Sequence, residues 1–132
     1  MSQLAKLAAA ALAALLLLPA SAVAEEPAVM RKVLERHDLR ASGQEGVLVH
    51  VELAPGAREG RHTHPAEGFV YVLEGTFTLQ IEGQPERTLH AGDTFFLLPG
   101  QIHEGLNRGT TPARLVAVFV TEKGKPLTSP VK

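Results

Sequence analysis

Residues 56–75 read GAREGRHTHPAEGFVYVLEG: two histidines, His62 and His64, stand two apart before a proline, and a carboxylate, Glu67, follows ahead of an apolar run. On an extended strand, residues i and i+2 share a face. The two imidazoles can therefore share one metal ion, provided a third ligand arrives from elsewhere. Taken alone, the pair is a weak signal, and two surface histidines beside a turn is the plainer reading. The run 69–73, FVYVL, has no polar face. A strand of that kind is covered on both sides, by the interior and by a second sheet or subunit. From this comes the expectation of a homodimer.

Outward from this stretch the chain alternates. In 47–53, Val47, Val49, Val51 and Leu53 fall on one face, and Leu48, His50 and Glu52 on the other. That is the pattern of a half-buried strand. Pro55-Gly56 turns the chain, and further strands are expected at 69–73, 76–81, 87–90, 94–98 and 113–120. Gly75, Gly83, Pro85, Gly92, Pro99 and Gly100 fall between them. Short strands with such punctuation indicate an all-β sandwich or barrel. No helical crossover of useful length separates them, which argues against a parallel α/β fold. Residues 29–34 fit either a short helix or a strand, and 37–46 reads as a polar loop.

The first residues have another character. Lys6, the apolar run 7–18 and the small-x-small sequence Ala22-Val23-Ala24 read as a secretory signal peptide over 1–24. The run falls short of the roughly 20 residues that span a bilayer. The organisation expected is signal peptide 1–24, N-terminal segment 25–46, barrel 47–121 and polar tail 122–132. The mature single domain would be periplasmic or secreted, with no membrane association once the leader is removed. The chain has no cysteine, which excludes disulfides and thiolate metal sites. Its 13 basic and 14 acidic residues form no basic stripe, so nucleic acid is not an expected partner.

A second glycine-rich turn carries the argument further: Gly92, then Pro99-Gly100, then His103 and Asn107. With these residues the sequence resembles the cupin family. The family's first motif is a glycine, five residues, H-x-H, three or four residues, a glutamate, six residues and a glycine. Gly56, His62, His64 and Gly75 match it. The second motif is a glycine, five residues, P-x-G, two residues, a histidine, three residues and an asparagine. Gly92, Gly100, His103 and Asn107 match it, with Leu98 in place of the proline. The resemblance covers about 47–120. It implies a small cupin-type double-sheet β-barrel (jelly-roll) and a divalent metal held by His62, His64 and His103. Imidazoles suit iron, zinc, nickel or copper; with manganese these are the candidate metals, and the sequence does not choose among them.

The motif glutamate falls at position 68, which is Gly68; Glu67 stands one residue early. Neighbouring side chains on a regular strand point to opposite faces. Glu67 joins the metal ligands only if a bulge near Pro65-Ala66 swings it inward; otherwise it is a solvated carboxylate. Around the histidines, Gln101 and Asn107 are candidates to orient His103, and Asn107 equally to cap a turn. His50 and Gln80 could line the barrel mouth. Tyr71 is expected in packing or an interface, Phe95 and Phe96 in the core, Asp93 in a turn, and His37 and His90 in no special role.

Three functions remain open on these residues. One is an exported metal-dependent enzyme, of oxygenase or isomerase type, acting on a small molecule. The second is a barrel that holds a small ligand or sugar without turnover, and the third is a dimer-forming structural protein. No general base beside the histidines is legible in the sequence, which leaves enzymatic activity undecided. The retained histidine spacing argues against the third.

Overall fold

The computed structural model describes residues 28–41 and 43–132. The signal-peptide reading of 1–24 lies outside the described residues. Ten strands follow in order: β1 (Val29–Asp38), β2 (Gln44–Leu53), β3 (His62–Thr63), β4 (Ala66–Glu74), β5 (Thr76–Ile81), β6 (Arg87–His90), β7 (Thr94–Leu97), β8 (His103–Leu106), β9 (Ala113–Glu122) and β10 (Ser129–Pro130). No helix forms among the described residues. Two five-stranded sheets result, in the orders β1-β2-β9-β4-β7 and β10-β3-β8-β5-β6, with every pairing antiparallel. This is the expected all-β double-sheet barrel, as one small domain.

Period-two alternation places the core between the sheets. Val47, Val49 and Leu53 of β2, Val70 and Val72 of β4, and Leu115, Ala117 and Phe119 of β9 point inward from one sheet. Phe77, Leu79 and Ile81 of β5 and Leu89 of β6 meet them from the other. Phe77 stacks on Phe95 of β7 across the interior, with centroids 5.7 Å apart and planes 8° from parallel. Each of these side chains larger than alanine contributes roughly 1.5–3 kcal/mol on burial. Between β4 and β5 the chain reverses at one residue, Gly75, whose φ is 77°. A Cβ there would overlap the Pro112 carbonyl, so only glycine serves.

Two segments differ from expectation. Residues 29–34 take the strand alternative, but the strand runs on through part of the supposed loop 37–46, which supplies the end of β1 and the start of β2. The register Val29↔Leu53 to Asp38↔Glu45 is broken by an irregularity between Val33 and Glu35. β1 is an edge strand whose residues are almost all exposed, so it carries no periodic signal. Backbone pairing and ion pairs such as Arg36–Glu45 hold it instead. The supposed polar tail also joins the barrel. Ser129 and Pro130 pair with Thr63 and His62, and Leu127 packs against the core. Phe96, expected in the core, lies on the outer face of β7, because the parity that buries Phe95 turns its neighbour outward.

Candidate metal centre

His62 and His103 face each other as register partners on β3 and β8, and His64 follows β3 directly. All three are buried. The His64 carbonyl accepts the Gly100 N–H at 2.9 Å, which ties the two motif turns together. The ring centroids form a triangle with sides of 4.2 Å (His62–His103), 4.9 Å (His62–His64) and 5.0 Å (His64–His103).

Each imidazole is oriented by a backbone carbonyl. Nδ1 of His62 donates to Gly60 O at 2.7 Å, Nδ1 of His64 to Leu127 O at 2.7 Å, and Nδ1 of His103 to Gln101 O at 3.0 Å. A carbonyl can only accept, so the hydrogen sits on Nδ1 and the lone pair is left on Nε2. One donor atom from each ring lies within 4.8 Å of the other two. Burial pushes the pKa of His64 and of His103 down to about 4, against the carbonyl hydrogen bonds that raise it. Both rings are therefore neutral, and available as ligands, at pH 7. Three histidines are positioned to bind a metal ion, and the carbonyls supply the outer hydrogen bonds that such ligands require.

The rings open into a cavity of about 50 Å³. At roughly 10–15 Å³ per water-sized group, that is room for about three to five such groups. Most of the wall is apolar, including Val70, Phe77, Leu97 and Phe119; Glu59, Arg31 and Thr128 are the polar exceptions beside the histidines. Glu59 is nearly buried, its Oε2 3.6 Å from His62 Nε2 and 2.7 Å from the Arg31 guanidinium. The loop that carries it is clamped from behind. Arg58 donates to both oxygens of the buried Glu104 carboxylate at 2.7 and 2.8 Å, and the Gly60 N–H approaches at 3.3 Å. The hydrogen bond and charge of Arg58 hold the Glu104 carboxyl below the usual carboxylate range.

The profile of the Cupin domain matches residues 49–119, more than half of the chain. The chain belongs to the cupin family. Tetracenomycin polyketide synthase protein TcmJ of Streptomyces glaucescens is 39% identical over 72 residues, 54% of this chain and 48% of that protein. Germin-like protein 5-1 of Oryza sativa subsp. japonica is 36% identical over 77 residues, 54% of this chain and 35% of that protein. The chain thus spans about a third to a half of the length of these curated relatives. Among solved structures, a conserved double-stranded β-helix protein of Klebsiella pneumoniae superposes with a TM-score of 0.66 at 22% identity, over 82% of this chain and 88% of that one. An oxalate oxidase in complex with the substrate analogue glycolate superposes with a TM-score of 0.58 at 29% identity, over 65% of this chain and 46% of that one.

This cupin departs from the family motif at its glutamate. Gly68 faces inward opposite Phe119 on β9, and a Cβ built on it would lie 2.9 Å from the Phe119 ring. Phe119 in turn packs on His64 with centroids 4.6 Å apart. The room near His64 is filled by an aromatic ring. Glu67 does not reach the histidines. Ala66↔Thr121, Glu67↔Val120 and Gly68↔Phe119 pair in unbroken register, and the irregularity of β4 falls later, between Val72 and Glu74. Without a bulge at Pro65-Ala66, parity sends Glu67 outward, where it is exposed. It lines a separate surface groove with Pro99 and Lys125.

The remaining candidates separate cleanly. Gln101 orients His103 through its backbone carbonyl, while its side chain accepts the Leu98 N–H. Asn107 is fully buried and secures the turn: Nδ2 donates to Leu53 O and Thr111 O, and Oδ1 accepts from Gly109 N–H. Asp93 accepts the His90 N–H in a turn, and Tyr71 lies on the outer face. His50 is half-buried on β2 and Gln80 donates to Glu86; neither lines the cavity. Sequence reasoning missed Glu59 and Arg31, because one sits in a loop and the other on an edge strand without periodicity.

Proposed function

We propose that this cupin binds one divalent metal ion through Nε2 of His62, His64 and His103 and acts as an exported metal-dependent enzyme on a small molecule. The observation that carries the reading is the shared orientation of the rings: every Nδ1 is committed to a backbone carbonyl, which leaves three Nε2 lone pairs to converge on the cavity. A bound divalent ion would supply Lewis-acid or oxygen-activating chemistry there. The narrow cavity admits only a small molecule or the end of a larger one. The oxalate oxidase neighbour, which holds glycolate, supports a small acid as the class to test first. Export rests on the leader pattern in 1–24.

A second reading is a barrel that holds a metal or small ligand without turnover. The largely apolar wall favours it, since few side chains are present to move protons. A homodimer belongs to either reading. Phe69, Tyr71, Phe96 and Val118 leave an apolar outer face, with Phe69 57% exposed and packed on Phe96 at 4.9 Å.

Elemental analysis of the mature protein, purified without chelators or a histidine tag, tests the metal reading. About one ion per chain is expected, and its identity would direct the substrate screen. Protein that carries no ion and takes none up from added iron, zinc, manganese, nickel or copper would refute it.

A further inference from the structure

The three histidines are neutral donors, so a divalent ion among them keeps its full charge. In the cupin motif a glutamate stands where this chain has Gly68, and Phe119 closes that side. The structure brings another carboxylate to the cavity. Glu59 is the only acidic residue lining the cavity among the described residues. We propose that Glu59 is the fourth protein donor of the metal centre, in place of the absent motif glutamate. The inference rests on the three-histidine reading above.

Four observations place it beside the site. Glu59 Oε2 lies 3.6 Å from His62 Nε2. Two donors bound at about 2.1 Å to one tetrahedral ion stand about 3.4 Å apart, so one ion can serve both atoms. The Glu59 N–H donates to Gly105 O at 2.9 Å, which fixes its backbone against β8. Gly105 makes the room, since a Cβ there would overlap both the Glu59 carboxylate and the Phe77 ring. Arg31 donates to Oε2 at 2.7 Å from β1. A ligating carboxylate is normally held by such an outer hydrogen bond, and its two oxygens have lone pairs for both partners.

A plain ion pair explains less. Arg31 is 37% exposed and Glu59 only 9%. An ion pair with one exposed partner contributes little, which does not account for a carboxylate drawn in beside His62. Glu59 stands outside the group of three donor atoms that lie within 4.8 Å of one another, close to His62 alone, so the carboxylate has to turn further inward when an ion binds.

Cobalt(II) titration of the purified mature protein, followed by visible absorption, tests the proposal, because the spectrum reports the donor set as well as the affinity. Glu59→Gln should bind Co²⁺ at least about tenfold more weakly and with an altered spectrum. Glu67→Gln should match the wild type in both. Glu59→Asp, which keeps the charge on a shorter arm, should recover part of the affinity and guards against a folding defect in the amide variant. Wild-type affinity and spectrum in Glu59→Gln would overturn the assignment of Glu59 while leaving the histidine site standing. A wild-type protein that binds no Co²⁺ would overturn both.

Discussion

His62 and His103 are direct register partners across β3 and β8, with ring centroids 4.2 Å apart. The site therefore exists only where those two strands are paired. An ion that binds the folded chain alone stabilises it by about 2.7 kcal/mol at a hundredfold excess over its dissociation constant. Added zinc should raise the melting temperature of the metal-free wild type by several degrees. His103→Ala leaves two donors and should abolish that rise. The same zinc-induced shift in both proteins, measured by differential scanning fluorimetry, would remove His103 from the site.

Gly68 sets the second expectation. A methyl group there would press on the Phe119 ring at 2.9 and 3.1 Å. Overpacking of this kind costs about 1–3 kcal/mol. Gly68→Ala should lower the midpoint of chemical denaturation accordingly, and Phe119→Leu in the same chain should relieve part of the loss. Equal stability of Gly68→Ala and wild type would mean that the ring yields freely.

The buried imidazoles give the metal-free protein a distinct acid response. His64 and His103 titrate near 4 in the fold, where burial disfavours the charged form, against about 6.5 when unfolded. Between those values the unfolded chain binds more protons, so stability falls as pH falls. The stabilisation is fully present above about pH 6.5 and drains away as the pH approaches 4. Urea unfolding of the metal-free protein from pH 7.5 to 4.5 should show this decline. In His64→Ala the slope should be shallower by about one proton. An unchanged slope would mean that His64 is not desolvated.

Much of the barrel was legible because its inner strands alternate. Val47, Val49 and Leu53 fell inward as the pattern required, and β5 and β6 lie at the residues expected from their turns. The three histidines were legible from their spacing to Gly75 and Gly100. The rest was hidden for physical reasons. β1 and β10 are edge elements held by backbone pairing, which leaves no hydrophobic period. Glu59 reaches the cavity from a loop whose path depends on the distant Arg58–Glu104 pair. The fate of Glu67 turned on one irregularity of β4, which lies beyond Val72 and so preserves the parity that excludes it.

The outer face of β4, β7 and β9 carries the oligomer prediction. Phe69 and Phe96 stand exposed side by side, flanked by Tyr71 and Val118. Light scattering should give twice the monomer mass for the purified protein. Phe69→Glu, which sets a charge in the middle of that face, should give monomers without loss of metal. A wild type that stays monomeric at high concentration would contradict the dimer.

The most direct test of the central claim is a crystal structure of the metal-loaded protein, with data collected on both sides of the metal's absorption edge. The account predicts one anomalous peak per chain, about 2.0–2.2 Å from Nε2 of each of His62, His64 and His103. A peak elsewhere, or none at these rings in crystals whose protein contains about one ion per chain, would contradict it.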